Sequence, residues 1–457
     1  MLNLKKVAAE IIQRFKTKYL TQEGMIARSY PCTTENIYAD FDDVLPFFLY
    51  FGEDEFVRKQ IELSTSATFN HLTVFNDKVV SWRNDEYLGA LCCYYRKHHD
   101  PEIRKIIEGC FTSIEKYLMQ DGHVFMFYDL RRNRLPKLYS MWTGGLLEVF
   151  LENSDLFSEW KSKGLRAIDL WLENYSFQKY SIFVFKSHAY SRLFNLINCN
   201  FHFHNLNFHR IVNSQFYYIR RTKLRNTLIE AIVYYLLQLP TGSYFQFMKA
   251  NTNFIFALIG AYRLTGEERY RKAIEKWINT VREKLFRDGM IYGIWYPNGN
   301  ATDPTLTESF AMIDVLCDTY SFVSKKPEFL DFAKEIADTW LLQQWPNGMF
   351  PFVPGGVHDH LDNQTDFSVA LCRLSELTGE EIYREVGRRC FFSTLKYHQT
   401  EEGYVTSVTK DGKVLPGTVV DPKYNGLLLK GIINWIEEGK GAKIYETPDL
   451  HDLLKDR

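Results

Sequence analysis

Leu264-Thr265-Gly266-Glu267-Glu268-Arg269-Tyr270 and Leu377-Thr378-Gly379-Glu380-Glu381-Ile382-Tyr383 are two copies of one phrase, Leu-Thr-Gly-Glu-Glu-x-Tyr, 113 residues apart. Each follows an apolar run and opens an amphipathic one. Glycine ends the first helix because it takes the left-handed conformation without penalty, and the glutamates favour the positive N-terminal end of the next. The phrase is a tight helix–helix corner, and its recurrence marks a helical-hairpin repeat.

The clearest units run Asn251–Gly289, closing at Asp288-Gly289, and Asp362–Gly403, closing at Glu402-Gly403. Weaker copies fill the chain. Asp42–Ile61 turns at Gly52-Glu53-Asp54-Glu55, and Asp85–Gly122 turns at His99-Asp100-Pro101-Glu102 and closes at Asp121-Gly122. Trp142–Tyr175 turns near Asn153-Ser154-Asp155, and Leu306–Gly348 turns at Lys326-Pro327-Glu328 and closes at Asn347-Gly348. Asp421–Glu437 holds one helix only. Its partner is the N-terminal amphipathic helix, with Leu4, Ala8, Ile11, Phe15 and Tyr19 on one stripe. The reading is an all-α, (α/α)6 toroid covering residues 1–457 as one domain, with seven hairpins as the alternative count.

Residues 176–240 blur the pattern and read as an insertion-like segment. Its His202, His204 and His209 lack a carboxylate close in sequence, and its basic run Arg220-Arg221-Thr222-Lys223-Leu224-Arg225 reads first as a solvated helix face, with an anion-holding segment as the alternative. The net charge of −1 argues against a nucleic-acid partner. The eight cysteines show no C-x-x-C pair and no zinc spacing, which fits a reducing, cytoplasmic setting. No apolar run reaches the ~18 residues of a membrane span. Aromatics make up 16% of the chain, enough for stacking platforms as well as packing.

Chemistry concentrates in Trp345–Thr378. An Asn347-Gly348 turn and an aromatic loop precede His358-Asp359-His360-Leu361-Asp362-Asn363-Gln364-Thr365-Asp366, then Phe367, Ala370, Leu371, Leu374 and Leu377 follow at helical spacing. Asp362 is placed to cap that helix, and Asp366 lies one turn further along the same surface. In a ring of hairpins, the starts of the inner helices open on one face, so residues there converge. These are Asp40, Asp42 and Asp43; Arg83, Asp85 and Glu86; Trp142; Asn253; Trp295, Tyr296, Thr307 and Glu308; His358, His360, Asp362, Asn363 and Asp366; and Asp421, Lys423 and Tyr424. Aromatic faces stack on sugar rings, amides and carboxylates bond hydroxyls, and carboxylate or carboxylate–histidine pairs do acid/base work.

The repeated corner, the Asp-Gly closures, Met141-Trp142-Thr143-Gly144-Gly145-Leu146 and the acidic inner-helix starts resemble the α/α-toroid carbohydrate enzymes: unsaturated glucuronyl and rhamnogalacturonyl hydrolases, N-acylglucosamine 2-epimerases and glucuronyl C5-epimerases. The resemblance is one of architecture. It implies an aspartate acid/base, matched here by Asp85 with Asp43 or Asp362 as alternatives, and for an epimerase the paired histidines His358 and His360.

The expected protein is a glycoside hydrolase acting on a uronate-containing sugar or oligosaccharide by general acid/base catalysis, with no metal or other cofactor. A sugar epimerase of 2- or C5-type is the alternative, and a non-catalytic carbohydrate-binding or scaffold protein a third. Candidate catalytic residues are Asp85, Asp362, Asp366, His358, His360, Glu308 and Asp43. Candidate substrate contacts are Arg83, as a clamp on a carboxylate, with Trp142, Trp295, Tyr296, Asn253, Tyr424 and Asn363. The bland reading is strong for any one carboxylate, since Asp and Asn are favoured helix caps worth about 1 kcal/mol. What argues for chemistry is that Asp85-Glu86, Asp362 with Asp366, and His358 with His360 exceed one cap per helix.

Overall fold

The computed structural model describes residues 3–31, 43–75, 77–135, 143–174, 176–177, 182–183, 185–187, 243–295, 301–302 and 304–438. Fourteen α-helices are described, and they alternate between an inner and an outer ring. The inner helices are α2 (Leu45–Tyr50), α4 (Ser81–His98), α6 (Gly144–Glu152), α8 (Met248–Thr265), α10 (Leu306–Asp318), α12 (Leu361–Thr378) and α14 (Pro422–Ile436). The outer helices are α1 (Leu4–Thr17), α3 (Asp54–Ser66), α5 (Pro101–Leu118), α7 (Ser158–Asn174), α9 (Glu268–Lys284), α11 (Pro327–Leu341) and α13 (Glu381–Tyr397).

Burial separates the two rings. Outer α9 buries Tyr270, Ile274, Trp277, Ile278 and Val281, a single amphipathic stripe. Inner α12 is buried almost all round, from Phe367 through Ser375, because it is sandwiched between outer helices and its ring neighbours. Each inner helix packs on the next, and α14 returns to α2. The toroid is closed by seven inner helices among the described residues, the alternative count rather than the preferred six.

α1 packs on α14 as its outer partner. The segment after it is tied to the C-terminal side of the ring: the Tyr19 hydroxyl donates to the Glu402 carbonyl at 2.8 Å, Lys18 pairs with Glu402 at 3.1 Å, and the Tyr30 amide donates to the Val420 carbonyl at 3.0 Å.

The corners form as the sequence dictates. Gly266 and Gly379 have φ of +67° and +75°, and their amides donate to the Tyr262 and Ser375 carbonyls at 2.7 and 2.8 Å. Thr265 and Thr378 hydroxyls accept from the Glu267 and Glu380 amides at 3.2 and 3.3 Å. At the fourth corner Asp100 caps α5, accepting from Glu102 and Ile103 amides, with Pro101 at its first position. The Asp121-Gly122 and Asp288-Gly289 closures are two-residue hairpin turns, with both residues at positive φ between short antiparallel strands.

Short antiparallel sheets elsewhere line the connections. Val74–Phe75, Lys78–Val80 and Phe127–Asp129 form one of three strands, and Phe185–Ser187, Ser243–Phe247, Ile294–Trp295 and Ala301–Thr302 form one of four. The histidines and basic run of residues 202–225 lie outside the described residues. Among the described residues cysteines 92, 93, 110, 317, 372 and 390 form no disulfide and are buried as small hydrophobes. No helix among the described residues is long and apolar enough to cross a membrane.

Candidate active site

The inner-helix starts meet at one mouth. On one side, Lys423 in the first turn of α14 binds Asp43, just before α2, at 2.6 Å and Glu86 of α4 at 3.6 Å. Arg83 binds the same Glu86 at 3.3 Å. Four charged side chains, from α4, α14 and the residues just before α2, therefore form one chain. The guanidiniums of Arg28 and Arg83 lie over the Phe75 ring, 5.2 and 5.5 Å from its centroid, so two arginines and a lysine border this side.

Asp85 sits within this group and is only 8% exposed. Its Oδ1 accepts from the Glu86 amide at 2.8 Å. Its Oδ2 faces Gly145 at the start of α6, so closely that a Cβ there would collide with it. Burial pushes the Asp85 carboxyl up to about 7; the Glu86 amide and the Arg83 and Lys423 charges oppose the rise without cancelling it. An acid with that affinity for protons can give one up or take one at neutral pH. Gly145→Ala is expected to cost about a hundredfold in turnover by displacing the carboxylate, with an unchanged circular-dichroism spectrum as control.

The other side is built on α12. His360 is its N-cap residue and Asp362 lies in its first turn, where its carboxylate bonds the His360 Nδ1 and accepts from the Asn363 amide at 2.7 Å. The cap position falls two residues before Asp362, at His360, whose side chain makes no capping bond; Asp362 is an N-terminal residue of the helix as expected, with its carboxylate given to the ring. Burial opposes a proton on His360, but the charge and hydrogen bond of Asp362 outweigh it and raise the imidazole above its ordinary value. The His360 ring meets Tyr424 edge-on at 5.0 Å. Phe352 lies beside both histidines, 6.4 Å from His358 and 6.0 Å from His360. His358 itself is bridged through its backbone to Thr409.

Beneath the mouth, Asp366 is bound by Lys430 of α14 at 2.8 Å, with side chains 15% and 10% exposed. Burial raises the Asp366 carboxyl, and the nearby Asp362 and Asp43 charges add to the rise while Lys430 opposes it. Asp421 caps α14, accepting from the Lys423 amide at 2.9 Å, and burial pushes it up to about 6.

The chain has the α/α-toroid fold of several sugar-converting enzymes of known structure. The cellobiose 2-epimerase of Spirochaeta thermophila superposes with a TM-score of 0.59 at 10% identity, covering 95% of this chain and 98% of that one. The α-mannanase of Bacteroides thetaiotaomicron gives 0.54 at 10% identity over 97% and 96%. The unsaturated glucuronyl hydrolase of Bacillus sp. GL1, responsible for glycosaminoglycan degradation, gives 0.51 at 13% identity over 88% and 97%. Comparison of the sequence with protein-family models and with curated proteins finds no match. The toroid shared with an epimerase and hydrolases is the architecture that the repeated corners imply.

The toroid brings together Asp43, Arg83, Asp85, His360, Asp362, Asp366 and Tyr424. Glu308 lies in the first turn of α10, its amide bound to the Thr305 hydroxyl at 3.4 Å, and Thr307 bonds Asn363 across to α12 at 3.1 Å. Asn253 is half-buried on α8, where its backbone abuts Gly144. Asp40, Asp42, Trp142, Tyr296 and the side chain of Trp295 lie outside the described residues.

Sequence reasoning passed over Lys430, Arg28 and Gly145 as site residues. It also missed the buried Asp359–His398 pair at 2.8 Å, in which Asp359 also accepts from the Val408 amide at 2.8 Å, tying the loop that carries His360 to the hairpin before α14. A signal for Lys430 existed: it falls seven residues after Lys423 in an apolar helix, hence on the same face.

Proposed function

We propose that the protein is a single-domain glycoside hydrolase acting on an acidic, uronate-containing sugar or oligosaccharide, with Asp85 as general acid. One observation carries the reading: Asp85 is a buried carboxyl, proton-binding near neutrality, between an arginine and a lysine at the mouth of a sugar-enzyme toroid. Burial and the Gly145 contact fix the carboxyl in place, so its proton is delivered without reorganisation. Arg83, Arg28 and Lys423 supply the positive border that a sugar carboxylate requires. The His360–Asp362 pair takes a proton from the attacking water, and Phe352 and Tyr424 offer ring faces beside it.

A second reading, sugar epimerisation or isomerisation, is favoured by that same His360–Asp362 pair. A base on one side of the mouth and an acid on the other can remove and return a carbon-bound proton.

The deciding experiment is proton NMR in D2O with uronate-bearing oligosaccharides, cellobiose and free aminosugars. New reducing-end signals establish hydrolysis. Deuterium entering a ring carbon without cleavage establishes epimerisation. Silence across the panel, with no line broadening, sinks both. With Asp85 as acid, kcat/KM is expected to fall as pH rises through about 7, since the raised carboxyl loses its proton there. A profile flat from pH 6 to 8 removes Asp85 from that role.

A further inference from the structure

Two neighbouring amides on α12 are treated differently by the fold. Gln364 is bonded at both ends: its Oε1 accepts from the Phe350 amide at 2.8 Å and its Nε2 donates to the Phe350 carbonyl at 2.7 Å. Asn363 is 2% exposed, yet only its carbonyl end is bonded, by the Thr307 hydroxyl at 3.1 Å. Its Nδ2 has no hydrogen-bond partner among the described residues. Leaving a buried donor unbonded costs more than a hydrogen bond gains, so such groups in native proteins meet water or a ligand. The orphaned donor lies at the seam of α10 and α12, one residue from the carboxylate that pairs with His360.

We infer that Thr307 and Asn363 form a fixed amide clamp whose Nδ2–H donates to an oxygen of the sugar, a hydroxyl or a carbonyl oxygen. This rests on the carbohydrate reading and adds to it a group that fixes orientation. Thr307 acts as the positioning residue. By donating into Oδ1 it turns the amide so that the opposite end presents a donor; without the hydroxyl the amide can rotate and present an acceptor instead.

The test compares wild type with Asn363→Asp, Thr307→Val and Thr307→Ser by ligand-observed NMR titration and by turnover. The probes are D-glucuronate, D-mannose, cellobiose and an unsaturated glucuronyl disaccharide. Asn363→Asp keeps the shape and replaces the donor by an acceptor, so it is expected to weaken binding of the best probe at least about tenfold and to raise KM far more than it lowers kcat. Thr307→Val is expected to weaken binding several-fold and Thr307→Ser to restore it with an unchanged thermal midpoint, whereas Asn363→Asp, which buries a carboxylate, is expected to lower its midpoint. Unaltered affinity in Asn363→Asp overturns the clamp even if the enzyme turns sugars over. Binding that is lost in Asn363→Asp without turnover by wild type keeps the clamp and overturns the catalytic reading. Failure of wild type to bind any probe overturns both.

Discussion

Asp85→Asn is expected to remove at least a hundredfold of the activity, because a positioned acid contributes about 10²–10⁴-fold and asparagine is isosteric but carries no transferable proton. The same change is expected to stabilise the protein at alkaline pH. Burial raises Asp85 to about 7, above the value of an exposed carboxyl, so the folded state holds its proton more tightly than the unfolded chain. That contribution is fully present below the ordinary carboxylate value near 3.8, falls progressively above it and is gone once the pH has passed about 7, where the fold must bury a charge. Asparagine never carries the charge. Thermal midpoints of the two forms at pH 5 and pH 8.5 check this: the variant should gain more on wild type at the higher pH. Lost activity with the opposite pattern, a variant less stable at pH 8.5, would falsify the raised proton affinity and place Asp85 among structural carboxylates.

Arg373→Met is expected to destabilise the toroid by about 3–5 kcal/mol, the range for breaking a buried ion cluster by removing one member. Arg373 of α12 is 2% exposed and binds Asp318 of α10, with Asp314 one turn away at 4.0 Å; both carboxylates are fully buried. Methionine fills much of the space but leaves two acids facing each other in the interior. Chemical denaturation measures the loss, and adding Asp314→Asn and Asp318→Asn to Arg373→Met should recover most of it, since the uncompensated charge rather than the missing arginine is the larger cost. A single variant within about 1 kcal/mol of wild type would mean that water already solvates this layer.

The placement of the candidate residues at helix starts was legible because helix starts are legible. Asp421 before Pro422 and Asp362 before an apolar run are read from spacing alone, and both fall in the first turn or cap of their helices. Their interactions were not legible. That Asp362 holds the His360 ring, rather than capping the helix, depends on which residue the backbone of the preceding loop brings to the cap. Between the two counts the sequence allowed, six and seven hairpins, only the packing of α14 back onto α2 selects seven among the described residues.

Arg373, Asp314 and Asp318 were invisible for a different reason. Asp314 and Asp318 recur one turn apart on α10 and Arg373 stands alone as a base on α12, but only the register of α10 against α12 makes them a cluster.

By itself the sequence determined the helical-hairpin repeat, its corners at Gly266 and Gly379, and the concentration of acids and histidines at inner-helix starts, because each depends on neighbours within a few residues. The tertiary structure alone decided that Asp85 is pressed against Gly145 and raised toward neutrality, that Lys423 spans to Asp43 and Glu86, and that Asn363 keeps an unbonded donor. These properties arise from burial and from charges on other helices, and electrostatics in a low-dielectric mouth is set by what closes around a group, not by what precedes it in the chain.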